Sequence, residues 1–158
     1  MRDSRTLWGG DDGGAHLDVQ EAYSHSTRFI QSAVKQYGLM PIEEAVHNFT
    51  QVPALFIGLR DRGTIAVGNH ADLVLMDLDK VQITPVEFRA DFPANGERLY
   101  TGAEGIDYVI VNGTPIIADG EYTWAKPGQV LRAGKDSYTV DIRQGAKVTQ
   151  APLLAAAG

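Results

Sequence analysis

The chain has 158 residues, 44% hydrophobic and 22% charged, which is the ordinary balance of a globular protein with a substantial core. Its formal net charge of −6 disfavours nucleic acid and anionic membrane surfaces as partners. The absence of cysteine excludes disulfides and thiolate metal sites. No apolar run approaches the roughly 20 residues needed to cross a bilayer. The N-terminus carries no apolar signal-peptide core, so we expect a cytoplasmic protein.

The first part of the chain is predicted to contain one strand and three helices. Residues 6–8 are a strand candidate because they run directly into a Gly-rich turn. Residues 26–37 place apolar side chains at helical spacing. A second helix begins at Pro41, and a third, opened by Pro53 and closed by Gly58, is apolar on nearly all sides. Such a helix is expected to be buried.

The rest of the chain reads as short strands and turns. Residues 73–76, LVLM, are an apolar run that fits a buried strand. Residues 84–105 contain prolines, glycines and little periodicity, which predicts loops. The clearest signal is Asn112-Gly113 between two β-rich runs, because a two-residue hairpin needs positive φ at both turn positions. Further strands are predicted at 81–83, 122–124, 130–132 and 138–142.

Three motifs carry a resemblance to a known family. The pattern G-x-x-x-x-G-x-x-A-D-L-V-x-x-D, which begins at Gly63 and ends at Asp77, resembles the end of the catalytic barrel in the amidohydrolase superfamily. The string G-L-x-D-R-G at residues 58–63 is similar to the D-aminoacylase branch, the N-acyl-D-amino-acid deacylases. Upstream, residues 9–16, GGDDGGAH, are similar to the family's G-x-x-D-x-G-A-H.

The resemblance implies an α+β fragment of a longer enzyme. Residues 1–63 would be the last βα unit of a TIM-type (β/α)8 barrel with its closing helices. Residues 64–145 would form an antiparallel β-rich domain of the composite β-sandwich type, and residues 146–158 a disordered tail. The family's His-x-His pair of metal ligands does not occur here, so the chain resembles only the C-terminal part of the family pattern.

Asp12 is the main candidate for chemistry. From the residues alone, Asp11 and Asp12 are most simply turn formers in a Gly-rich loop. The resemblance instead assigns Asp12 as a catalytic base that also contacts the metal, and leaves Asp11 as a turn residue. Zn²⁺ is the implied cofactor, with most of its ligands on the missing N-terminal part. For His16, a contact to substrate and a structural hydrogen bond inside the loop both stay open.

Other polar and aromatic residues are expected to be structural. Arg60 and Arg62 could bind a substrate carboxylate, but a salt bridge that caps the connection into the β region is favoured. Trp8 and Trp124 are expected to pack in the core or at its rim. The remaining histidines are expected to be surface or structural residues: His25, His47 and His70.

The resemblance implies hydrolysis of an amide C–N bond in a small N-acyl-D-amino acid, with the isolated chain inactive. Exposed apolar surface would favour a homo-oligomer. Two alternatives remain. One is a non-catalytic β module that docks a partner through its helices. The other is a fragment of a hydantoinase-like cyclic amidase, which shares the A-D-L-V segment.

Overall fold

The computed structural model describes Asp3 and residues 6–10 and 16–140, so the predicted tail, 146–158, lies outside the described residues. Three helical segments are followed by eight short strands and one 3-10 turn. The helices are α1 (His25–Phe29, continued by a π-helical segment, Ile30–Gln36), α2 (Ile42–Phe49) and α3 (Gln51–Ile57). The strands are β1 (Leu73–Met76), β2 (Gln82–Ile83), β3 (Glu87–Phe92), β4 (Gly96–Tyr100), β5 (Ala103–Glu104), β6 (Ile106–Val111), β7 (Thr114–Ala118) and β8 (Glu121–Tyr122), with the 3-10 turn at Pro93–Asn95.

The three predicted helices are confirmed, but the expected burial of the third is wrong. In α3 only Ala54 is buried, whereas Phe56 and Ile57 are 42% and 60% exposed. An apolar helix is buried only where another element packs against it. The described residues pack against α3 on one side, so its other side stays exposed. Within the described part of the chain, no helix has the length and apolarity needed to cross a membrane.

The strand predicted at residues 6–8 is also wrong. The backbone N–H of Thr6 donates to the carbonyl of Asp3 at 2.9 Å, which makes a turn, and the segment has no strand assignment. A strand is stabilised by a neighbour that satisfies its backbone groups. No strand formed by the described residues lies beside this segment.

The main sheet has four antiparallel strands in the order β1-β6-β7-β8. The predicted hairpin is confirmed: β6 and β7 are joined by Asn112 and Gly113, at φ 48° and 78°. β1 is a strand as predicted, but it is an edge of the sheet. Its side chains Val74 and Leu75 are therefore 52% and 47% exposed, and the expectation of a buried strand is wrong.

The loops predicted over residues 84–105 are replaced by the antiparallel pair of β3 and β4 and by β5, which pairs with β2. β2 confirms the strand predicted at 81–83. The β3–β4 pair is stabilised by contacts between side chains on the two strands, and the sequence pattern of one strand does not show such contacts. In this pair the Arg98 guanidinium donates two hydrogen bonds of 2.7 Å to the two oxygens of the Asp91 carboxylate. Arg89 lies 3.4 Å from the ring centre of Tyr100, in a cation–π contact.

Two predicted strands near the C-terminal end of the described residues are not formed. Residues 130–132 have no strand assignment, and neither do residues 138–140, while 141 and 142 lie outside the described part. The only ladder contact of this region within the described chain is an isolated bridge between Leu59 and Ser137. A composition rich in β-forming residues does not produce a strand unless another strand lies beside it to pair with.

Polar side chains from the helices fasten the β region to the helical region. The Lys35 ammonium donates to the carbonyls of Asp79 and Val81, both at 2.9 Å. The Gln31 side-chain oxygen accepts the N–H of Ile83 at 3.0 Å. These bonds hold the chain around Val81, which is fully buried, against the π-helical segment.

Arg62 joins the end of the helical region to the main sheet. Its guanidinium pairs with the Asp72 carboxylate and donates to the side-chain oxygen of Asn112 at 2.9 Å. The Asn112 backbone N–H in turn donates to Asp72 at 2.8 Å. Arg60 lies 4.5 Å from the ring centre of Tyr138. The favoured interpretation of Arg62 as a salt bridge at this connection is confirmed.

Gly113→Val should lower the free energy of unfolding by about 1 kcal/mol or more, because a β-branched residue is strained at positive φ. No atom lies within 4 Å of the position a Cβ would take at Gly113, so the cost comes from the backbone and not from a clash. Urea unfolding measures it. Gly128→Val is the control, since Gly128 has equal space and no positive φ. An unchanged midpoint for Gly113→Val would show that the turn does not constrain the sheet.

Asp72→Asn should remove part of the pH dependence of stability. Burial would raise the pKa of Asp72, but the Asn112 N–H and the Arg62 guanidinium outweigh it and lower this pKa below 3.8. A carboxylate with a lowered folded pKa stabilises the protein at neutral pH, and this stabilisation is lost as the pH falls through that pKa.

The difference between wild type and Asp72→Asn in the free energy of unfolding should therefore shrink on acidification below pH 3.8. Urea titrations at a series of pH values measure it. Asp18→Asn, at an exposed position, serves as the control for the loss of one carboxylate. If the wild type stays more stable than Asp72→Asn by the same amount down to acid pH, the charge of Asp72 does not cause the difference in stability.

Candidate functional site

The candidate site is the Gly-rich loop at residues 9–16. Asp12 and the other residues from 11 to 15 lie outside the described residues, so the structure locates the loop through its two flanks. Trp8 to Gly10 precede the gap, and His16 follows it. What holds these flanks therefore determines where the candidate catalytic carboxylate is presented.

Trp8 anchors the N-terminal flank in an aromatic cluster. Its ring lies 4.6 Å from that of Phe29 in α1 and 5.2 Å from that of Phe49 in α2, centre to centre. These two rings also pack edge to face at 5.3 Å. Together with Gly9 and His25 they line a cavity of 250 Å³. The packing role expected for Trp8 is confirmed, so the loop leaves from a point fixed against two helices.

Trp124 does not share that role. It is 83% exposed, and its ring lies 6.0 Å from that of Tyr122 on the outer strand of the main sheet. The expectation that it packs in the core or at its rim is wrong. β8 is only two residues long, so the chain that follows it leaves the sheet before its side chains are covered.

His16 begins the C-terminal flank. Its backbone has a φ of 55°, and its carbonyl accepts the N–H groups of Val19 and Gln20 at 2.9 and 2.8 Å. The imidazole is exposed and has no hydrogen bond to a described residue. The turn is thus made by the backbone of His16 and not by its side chain.

The segment after His16 is fastened to β4 at two points. The carbonyl of Leu17 accepts the Leu99 N–H at 2.7 Å. The Tyr23 hydroxyl accepts the Thr101 N–H at 2.8 Å and donates to the Leu99 carbonyl at 3.2 Å. Thr101 is only 4% exposed, so its N–H depends on this phenol for a partner. The β region therefore holds the C-terminal flank of the loop.

An ion pair stiffens the same segment. The Glu21 side chain is 3% exposed and pairs with Arg28 of α1 at 2.5 Å. It also accepts the backbone N–H of Ser24 at 3.0 Å. A buried carboxylate is costly unless it is paired and hydrogen-bonded, and both conditions are met here. The segment from His16 to α1 is consequently fixed at both of its ends.

A broad groove of 1090 Å³ opens between the helices and the main sheet. Ile30 and Val46 line its helical side, and Val74, Val109 and Ile117 line its sheet side. Its walls are mostly apolar, and the described flanks of the loop, residues 8–10 and 16, are not among the residues that line it.

The described residues do not bring together a metal site. No group of three or more histidine, aspartate or glutamate side chains is placed to hold an ion within the described part of the chain. His25 and His47 are exposed, and His70 lies 3.8 Å from the Asp61 carboxylate. These three histidines are surface residues in this part of the structure, as expected.

Sequence reasoning missed the residues that hold the loop. Tyr23 and Glu21 occur in a polar stretch with no periodicity, and their partners Thr101 and Arg28 are up to 78 positions away. An isolated tyrosine between polar residues was the only signal, and it does not identify a partner. Such contacts follow from tertiary structure alone.

Comparison with known proteins identifies relatives. The sequence profile of the amidohydrolase family matches residues 5–117, which include both Asp12 and His16. N-acyl-D-aspartate deacylase of Alcaligenes xylosoxydans xylosoxydans is 38% identical over 109 residues, 68% of this chain and 20% of that protein. D-aminoacylase of the same organism is 36% identical over 104 residues, 66% of this chain and 20% of that protein.

A dihydroorotase of Ruminiclostridium cellulolyticum is 38% identical over 84 residues, 51% of this chain and 19% of that enzyme. The chain thus spans about a fifth of the length of the curated relatives it matches. No solved structure matches it. The family profile covers more than half of the chain, and the deacylase similarity covers two thirds of it, so the resemblance drawn from the motifs is confirmed. The chain belongs to the amidohydrolase family.

Proposed function

We propose that this chain is the C-terminal part of a metal-dependent amidohydrolase that hydrolyses an N-acyl-D-amino acid to the free amino acid and a carboxylate. The observation that carries the proposal is the family match, which spans the loop with Asp12 and His16 and extends to Ile117 of the main sheet. Two of the relatives described above are named as deacylases of N-acylated D-amino acids or as D-aminoacylase.

Asp12 is proposed as the general base. Hydrolysis replaces the amide C–N bond by a C–O bond from water, and the departing amine takes up the proton that the water gives away. A carboxylate oxygen of Asp12 would accept that proton and return it to the amine nitrogen. Anchoring of the loop by Trp8 on one side and by Tyr23 on the other supports this role, because a base must be held within hydrogen-bonding reach of the attacking water.

His16 is proposed as a substrate contact. Its imidazole is exposed, while its backbone makes the turn that follows the loop. Of the two roles left open by the sequence, this geometry favours the ligand contact over a structural hydrogen bond. An imidazole can donate or accept a hydrogen bond to the acyl or carboxylate oxygens of such a substrate.

Zinc is the proposed cofactor of the parent enzyme. A zinc site takes three or four protein ligands, and the described residues contain no group of three suitable side chains. The described part of the chain therefore does not fit a complete zinc site. We propose that the ligands lie mostly on a part of the longer protein outside this chain, with Asp12 as the contribution made here.

The domain assignment is part of the same proposal. Residues 1–63 would be the last unit of the barrel, and residues 64–145 the β-rich domain. The Arg62 contacts to Asp72 and Asn112 support a boundary close to residue 63, since they join the last residues of one part to the first strand of the other.

A cyclic amidase is the second candidate. The similarity to dihydroorotase is as high in identity as that to the deacylase, 38% in both cases, although it covers less of the chain. Cyclic and linear amides both break at a C–N bond, so Asp12 would serve either reaction. Assays of the parent enzyme with N-acetyl-D-amino acids and with cyclic ureides separate the two candidates.

Asp12→Asn should abolish hydrolysis in the parent enzyme while leaving its fold intact. Asparagine keeps the size of aspartate but does not accept the proton, and loss of a general base costs roughly 10²- to 10⁴-fold in rate. Release of free amino acid from N-acetyl-D-amino acids measures the effect. Asp11→Asn is the matched control and should retain most of the activity. Full activity of Asp12→Asn would remove the catalytic assignment.

The isolated 158-residue chain should show neither hydrolysis nor stoichiometric zinc. One carboxylate and one loop histidine do not supply the ligands that such a site needs. Metal can be counted by native mass spectrometry after incubation with zinc. Tight one-to-one binding would contradict the assignment of the chain as one part of a larger site.

Tyr23→Phe should loosen the loop flank. The change removes the hydroxyl that pairs with the Thr101 N–H, at a cost of about 0.5–1.5 kcal/mol, or a roughly 2- to 10-fold increase in local opening. Amide exchange of Val19 and Gln20, whose N–H groups bond to His16, reports that opening in the 158-residue chain. Tyr37→Phe, at a position 65% exposed, is the control. If the amide exchange rates rise equally throughout the chain, Tyr23 stabilises the whole fold and not the loop flank in particular.

A further inference from the structure

β3 is the free edge of a two-stranded sheet. The outer edge of its partner, β4, is occupied by the Leu17 carbonyl and the Tyr23 hydroxyl. On its own outer side, β3 pairs with no strand formed by the described residues. All six residues of β3 are exposed, and Phe88 is 68% exposed. An exposed edge with a large apolar side chain is a template for another strand.

The register shows which backbone groups of β3 are available. Phe88 lies opposite Leu99, whose N–H donates to Leu17 and not to β3. In an antiparallel ladder such a pair is of the kind without mutual hydrogen bonds. The N–H and C=O of Phe88 therefore also point away from β4. The outer edge thus offers the donor and acceptor of Phe88 at the middle of residues 87–89, where the pairing with β4 is regular.

The side chains around Phe88 are self-complementary. If two copies of β3 pair antiparallel about Phe88, Glu87 of each copy lies opposite Arg89 of the other, so two opposite-charge pairs form. On the other face Phe88 lies opposite Phe88, and Val86, which is 45% exposed, lies opposite Ala90. β3 pairs regularly with β4 over residues 87–89, which carry both charges and Phe88, and the irregularity follows Arg89.

We propose that β3 is a docking edge for a second copy of this chain, paired antiparallel about Phe88 into a continuous sheet β4-β3-β3-β4. Within one copy Glu87 and Arg89 form an ion pair of 2.6 Å, so both side chains lie on the same face of β3. In the dimer each would pair with its counterpart on the other copy. The interface is small, which places the dimer in the weak class, with a Kd of about 1 µM to 1 mM. Catalytic activity is not involved in this proposal.

Sedimentation velocity of the 158-residue chain over a concentration series tests the proposal. The wild type should associate reversibly to a dimer. Glu87→Arg alone and Arg89→Glu alone each place like charges opposite one another twice, and each should raise the Kd at least about tenfold. The double variant with both changes restores opposite charges and should dimerise like the wild type.

The two single variants mixed together provide the sharpest arm. Glu87→Arg carries arginine at both positions 87 and 89, and Arg89→Glu carries glutamate at both. A mixture of the two should therefore form a heterodimer, although neither variant dimerises well by itself. Glu97→Arg, an equal change of charge on the neighbouring β4, is the matched control and should leave the dimer unchanged. A wild type that stays monomeric at 1 mM (about the weakest Kd of this class) overturns the proposal. So does association that is insensitive to the single charge reversals, or a mixture that does not associate.

Discussion

The contact on which the architecture most depends is the one made by Arg62. Its guanidinium reaches both Asp72, directly before β1, and Asn112, in the turn between β6 and β7. The Arg62 side chain is only 11% exposed and the Asp72 side chain 35%, so this pair is partly shielded from water. Because the Asn112 N–H also bonds Asp72, one charge network fixes where β1 enters the sheet and where the hairpin turns.

The same principle joins the helices to the smaller strands. Two-stranded sheets leave many backbone donors and acceptors without a ladder partner, and a buried group of that kind costs about 1–3 kcal/mol. Lys35 and Gln31 satisfy those around β2, and Tyr23 satisfies those of β4. The candidate catalytic loop lies between an aromatic anchor at Trp8 and this last polar anchor. Its position therefore depends on the β region as well as on the helices.

Local chemistry decided which features could be predicted from sequence. The Asn112-Gly113 hairpin, the helices and the ends of the helices at Gly38 and Gly58 follow from backbone preferences of a few adjacent residues. The β3–β4 pair does not, because contacts such as Arg98 with Asp91 act across strands. The predicted burial of α3 and β1 was too high. A hydrophobic sequence shows that a surface can be buried, but not that a described element packs against it. For the candidate site, the motif predicts roles for Asp12 and His16, but nothing in the sequence identified the residues that hold the flanks of their loop.

The structure also explains what the strongest family motif reports. Within G-L-x-D-R-G, Gly58 has a φ of 79°, and a Cβ there would collide with the carbonyl of Tyr138. Arg62 from that string then pairs with Asp72 from A-D-L-V, so the two halves of the motif contact each other. These are constraints on how the helical region meets the sheet, and they involve no substrate. A structural joint of this kind can be shared by enzymes whose names indicate different amides, as those of the deacylase and the dihydroorotase do. The contacts made by the family motif therefore report how the two regions are joined, and they do not by themselves distinguish the two candidate reactions.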